Sequence, residues 1–128
     1  MSYYFAKTIE ASFDEAVART REALEGEGFG VITEIDVQKT LKSKIDVAFR
    51  PYLILGACNP AMAHEALQIE DKVGTMLPCN VVVQERSGTT VEIAAIDPVK
   101  SMEAIENPQL IDKAAQVGSR LRLALERI

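Results

Sequence analysis

The seven-residue run Tyr52-Leu53-Ile54-Leu55-Gly56-Ala57-Cys58 is apolar at every position, and it constrains the fold more than any other stretch of the chain. A strand with one buried face alternates apolar and polar residues, whereas a strand lacking that alternation is buried on both. The run therefore predicts a central strand covered on both faces. Gly56, inside it, predicts a point where another backbone approaches closely.

Cap and turn chemistry surrounds this run. Asn59-Pro60 follows at once: asparagine accepts amide hydrogen bonds at a helix start, and proline at the first helical position gives up an N–H that had no partner there. A helix from Pro60 to about Ile69 is expected. The same device recurs at Asp97-Pro98 and Asn107-Pro108. After the last of these, Leu110, Ala114, Val117, Leu121, Ala124 or Leu125, and Ile128 form one stripe, a long amphipathic helix of about 20 residues. In the first part of the chain, residues 2–10 alternate as a strand, with Tyr3, Phe5, Lys7 and Ile9 on one face and Tyr4, Ala6 and Thr8 on the other. Ser12 stands three residues before Glu15, the spacing of a capping box. Phe13, Ala16, Val17, Ala23 and Leu24 follow at helical spacing until Gly26 and Gly28 end the helix.

Residues 29–35 read as a strand with two different faces and residues 37–44 as a short helix. Residues 79–86 and 89–96 read as a hairpin about Ser87-Gly88, which places Val81 near Ile93 and Cys79 near Ala95. The order of elements predicts an α+β fold: a mostly antiparallel five-stranded sheet with helices on one face.

With 48% apolar residues, 128 residues suffice for one core, and a single domain over residues 1–128 is expected. A net charge of −5 repels phosphate backbones and anionic lipid, so neither nucleic acid nor a membrane is an expected partner. No apolar run approaches the ~20 residues of a membrane span, and the opening residues lack a basic region followed by an apolar stretch. A cytoplasmic location is expected, where both cysteines stay reduced.

Those cysteines sit in twin dipeptides, Cys58-Asn59 and Cys79-Asn80. If the strand ending at Cys58 runs antiparallel to the one starting at Cys79, then Cys58, Asn59, Cys79, Asn80 and Asp97 gather at one end of the sheet. This is the candidate ligand-binding edge, and the leading expectation is a non-enzymatic domain that binds a small ligand or a metal ion there. Cys58, Cys79 and His64 together would suit a zinc-like ion, although no Cys-x-x-Cys supports that set. A second reading is a thiol-dependent redox protein. Cys58, just before a helix N-terminus that favours a thiolate, would attack, Cys79 would resolve, and His64 or Asp97 would move protons. The third is a structural interaction domain whose small apolar thiols are buried and inert. Outside this edge, Glu34 with Asp36 forms a possible carboxylate pair, Arg50 with Tyr52 a possible anion site, and Lys39, Lys42 and Lys44 a small basic cluster. Each reads more simply as a solvated surface.

The segments Gly30-Val31-Ile32-Thr33-Glu34-Ile35-Asp36-Val37, Phe49-Arg50-Pro51-Tyr52 running through Gly56-Ala57-Cys58-Asn59-Pro60, Leu77-Pro78-Cys79-Asn80-Val81 and Ala95-Ile96-Asp97-Pro98 resemble the family called domain of unknown function 302. The resemblance covers nearly the whole chain. It implies a TATA-binding-protein-like arrangement of a strand, a helix, four more strands and a closing helix. It also implies a prokaryotic protein that forms a homodimer. Independently, Ile111 and Leu123, apolar positions of the last helix outside its main stripe, are expected to face a partner subunit. No activity comes with it, and likeness of topology does not carry DNA binding.

Overall fold

The computed structural model describes residues 2–128. Along the chain lie β1 (Tyr4–Glu10), α1 (Phe13–Gly26), β2 (Gly30–Asp36), α2 (Val37–Ile45), β3 (Tyr52–Cys58), α3 (Pro60–Ile69) and a 3-10 stretch (Asp71–Met76). β4 (Cys79–Glu85), β5 (Thr90–Ile96), α4 (Pro98–Met102), a 3-10 turn (Glu103–Ile105) and α5 (Pro108–Arg127) complete it. The strands form one antiparallel sheet in the order β1-β5-β4-β3-β2, so the chain's first two strands are the two edges. The expected α+β class and five-stranded antiparallel sheet are therefore observed.

Local chemistry accounts for the helix starts. The Ser12 hydroxyl accepts from the Glu15 amide at 3.1 Å, and Asp36 Oδ1 from the Lys39 amide at 2.9 Å. Each Asx-Pro pair behaves alike: Asn59 Oδ1 accepts from Met62 at 3.2 Å, Asp97 Oδ1 from Val99 at 3.0 Å, and Asn107 Oδ1 from both Gln109 and Leu110. The caps satisfy amides that would otherwise lack partners in the first turn. At the far end of α5, Lys7 of β1 donates to the Leu125 carbonyl at 3.3 Å, setting a cation where the helix dipole is negative.

Two expectations are corrected. The hairpin pairs Val81 with Ala95 and Val83 with Ile93, two residues out from the expected register. The Arg86 amide donates to the Thr90 carbonyl at 2.9 Å, and the Ser87 hydroxyl accepts from the Thr89 and Thr90 amides, so the loop takes in residues 87–89. A shift of two preserves the side-chain alternation, and the faces stay as expected. The second correction concerns β3. Leu53, Leu55 and Ala57 are buried under the helices, but Tyr52 and Ile54 on the other face are only half-buried. Among the described residues no helix covers that face, where Tyr4, Ala6, Ala94, Val82, Ile54 and Ile35 stand across the five strands. Gly56 is approached by side chains instead of a backbone: a Cβ there would overlap Thr33 Oγ1 and stand 2.6 Å from Pro78 Cγ.

The covered face holds the main core. Leu55, Val81, Val83 and Ile93 of the sheet meet Leu24 of α1 and Leu121 and Ala124 of α5, all fully buried. Burying each such aliphatic side chain stabilises by roughly 1.5–3 kcal/mol. A second, smaller cluster of Ala66, Val73, Met102, Leu110 and Ala114 lies beyond the sheet's end, between α3, α4 and α5. Ile111 packs against this cluster, whereas Leu123 is exposed on the outer side of α5.

Candidate ligand-binding cavity

Antiparallel pairing of β3 with β4 sets Ala57 opposite Cys79, with Gly30 of β2 opposite Cys58. Both thiols thus lie at one end of the sheet, as the sequence predicts. They are not equivalent: Cys79 is buried and Cys58 half-buried.

Above them the main core and the second cluster fail to close, leaving a cavity of about 320 Å³. The cause is side-chain size. α3 presents Ala63 and Ala66, and α5 presents Ala114, too short to fill the space between the two helices. The sheet end contributes Ala57, Cys58 and Cys79, α3 adds Met62 and α5 adds Leu110 and Val117, with Phe29, Leu77, Pro78, Pro98 and Met102 completing the lining. Ile32, an extra residue where the β2–β3 register shifts, and Leu67 of α3 stand on the rim and are 62% and 40% exposed. The part of the rim that these two residues form is therefore as apolar as the interior.

Charge reaches this space at one position, Lys113 of α5, which is ion-paired with Glu65 of α3. The hydrogen bond from Lys113 to Glu65 and then the charge of Glu65 raise the lysine pKa, desolvation opposes them, and the charge of Asp112 adds the least. At Cys79 burial, reinforced by the neighbouring Cys58, pushes the thiol up from 9.0 to about 11.

Of the residues expected to share this edge, Cys58, Asn59 and Cys79 do line the cavity. Asn80 alternates onto the open face of the sheet, beside Tyr4 and Tyr52. Asp97 lies past the end of β5 as the cap of α4 and does not line the cavity. His64 is exposed on the outer side of α3, 3.3 Å from Gln68 Nε2, and does not face the thiols. Among the described residues no three His, Cys, Asp or Glu side chains converge in a way that would hold a metal ion. The expected Cys58, Cys79, His64 set does not fit a zinc-like ion, because a helix turns the imidazole away from the sulfurs.

The weaker candidates have structural partners. Glu34 pairs with Arg21, and Asp36 caps α2. The Arg50 guanidinium lies 4.4 Å from the Phe49 ring centroid and donates to Gln84 at 3.0 Å. Lys42 pairs with Asp46 on an exposed helix. Sequence reasoning missed Lys113 and the α3–α5 gap. The available signal was the facing small residues, Ala63 and Ala66 against Ala114, which marks a gap only once the two helices are known to be neighbours.

The family profile described as domain of unknown function DUF302 matches residues 5–128. The fold is similar to the crystal structure of an uncharacterized conserved DUF302 protein from Bacillus stearothermophilus, with a TM-score of 0.92 and 31% identity, over 99% of this chain and 98% of that one. No curated protein matches the chain. Among the described residues no helix is long and apolar enough to cross a membrane.

Proposed function

The chain belongs to the DUF302 family, and we propose that it is a binding protein, taking a small and mainly apolar molecule into the cavity beside Cys58 without a covalent step. The observation that carries this reading is the cavity's lining, apolar but for Asn59, Lys113 and the two thiols. Its volume of about 320 Å³ lies within the ordinary range for small-molecule sites. Thiol exchange is the weaker reading. With its pKa near 11, Cys79 is ionised to only about one part in ten thousand at neutral pH, and a resolving thiol works as the thiolate.

Fluorescence of N-phenyl-1-naphthylamine, a neutral probe that brightens in apolar surroundings, tests the proposal. The expected result is a saturable rise with the wild type that is lost in Ala63→Phe, whose ring fills the cavity, while the circular dichroism stays unchanged. No rise, or an equal rise in the variant, overturns it.

We propose also that a second copy of the chain covers the open face of the sheet. Five strands of seven residues make a face of roughly 24 by 23 Å. Two such faces together bury about 1,100 Å², past the roughly 1,000 Å² that a biological interface must clear and just under the roughly 1,200–2,000 Å² of the standard class. Charge on that face is confined to the hairpin end, where Glu92 is bound by Arg86 and Gln84, so like charges do not meet at the centre.

A further inference from the structure

Lys113 is the one charged side chain among the described residues that line the cavity, and its placement makes the cavity amphiphilic instead of merely apolar. It precedes Ala114, which is buried against the second cluster, so the lysine stem starts at the cavity wall and its ammonium stands at the rim. There it meets Glu65 of α3, about one helix turn before that helix ends at Ile69. The side chains of this pair are 31% and 50% exposed, so Glu65 can swing into water while the lysine remains against the apolar wall. Asn59, the other polar side chain of the lining besides the two thiols, carries no charge that competes for an anion.

We propose that the guest of this cavity is an amphiphilic monocarboxylate, its apolar body inside and its carboxylate on the Lys113 ammonium, with Glu65 as the internal stand-in for that head group when no guest is bound. The proposal rests on the binding reading above and adds the class of ligand. Glu65 meets the ammonium from the solvent side with half of its side chain exposed, whereas a guest carboxylate meets it from the apolar mouth where screening is weaker, so the exchange favours the guest modestly and burial of the apolar body supplies the rest. A neutral guest of the same shape gains the burial but leaves the ion pair as it was. A cationic guest brings its charge against the ammonium and is excluded.

Octanoate and 1-octanol share an apolar chain and differ at the head group, which makes them the probes. Binding is followed by the methyl signals of Met62 and Met102, both in the cavity lining. The wild type is expected to bind octanoate about fivefold more tightly than octanol. In Lys113→Gln the ratio falls to about one, with octanol affinity retained. Glu65→Gln removes the internal competitor and raises octanoate affinity about two- to threefold. Octanol binding as tightly as octanoate, or acid preference surviving in Lys113→Gln, overturns the monocarboxylate assignment while leaving the cavity as a binding site. Failure of both probes to shift either methyl overturns both.

Discussion

Identical Cys-Asn dipeptides end in different environments, and the difference is measurable. Both thiols line the cavity, but Cys79 is only 6% exposed and its thiol is pushed up to about 11, whereas Cys58 is half-buried. The folded state therefore holds the Cys79 proton after the unfolded chain, near 9.0, has released it. Since the unfolded state then binds fewer protons, stability must fall as pH rises from about 9 to about 11. The cost is on the order of 2–3 kcal/mol at the upper end. Urea unfolding of wild type and Cys79→Ala across that window checks it: the wild-type profile should fall more steeply, and parallel profiles would refute the assignment. That both thiols share one sheet end was legible from the spacing of two strands and a helix between them. Which thiol is buried was not, because burial depends on how far α3 and α5 stand from the sheet.

At the level of elements, the Asx-Pro pairs carry most of the information. Asn107 is the strongest case, since its Oδ1 accepts from two amides and opens a helix of 20 residues that supplies Leu121, Ala124 and Leu125 to the core. Asn107→Ala is expected to cost about 1–2 kcal/mol in thermal or urea unfolding, and Asn107→Asp much less, because aspartate keeps the acceptor. Equal losses in the two variants would show that the cap is not the source. Strand and helix limits were readable because caps and alternation are set by neighbouring residues. The hairpin register was not, because the Ser87 hydroxyl draws in the Thr89 and Thr90 amides and lengthens the loop, a contact that the Ser87-Gly88 pair alone does not announce.

Across the whole molecule the sheet is lopsided. One face is buried beneath α1 and α5, and the other leaves Val82 and Ile54 half-buried and Tyr4 and Ile35 at 44% and 50% exposure. If a second copy covers it, wild-type protein sediments as a dimer. Val82→Asp, at the centre of the face, should then sediment as a monomer, and so should Ile35→Lys, whose exposed position tolerates a charge in the folded chain. Monomeric wild type at micromolar concentration, or dimers that survive both substitutions, would remove the proposal.

The uninterrupted apolar run of β3 predicts a strand covered twice, and the fold of the single chain covers it once. That discrepancy marks the limit of inference from the chain alone. Residues within a few positions of one another determined the elements, their caps and the two faces of each strand, because hydrogen bonds and side-chain alternation act over that range. Only the assembled structure decided that Ala63 and Ala66 face Ala114 across a gap, that Lys113 meets Glu65 at its rim, and that His64 turns away. Those outcomes depend on the separation of helices far apart in sequence, which the packing of the whole core sets.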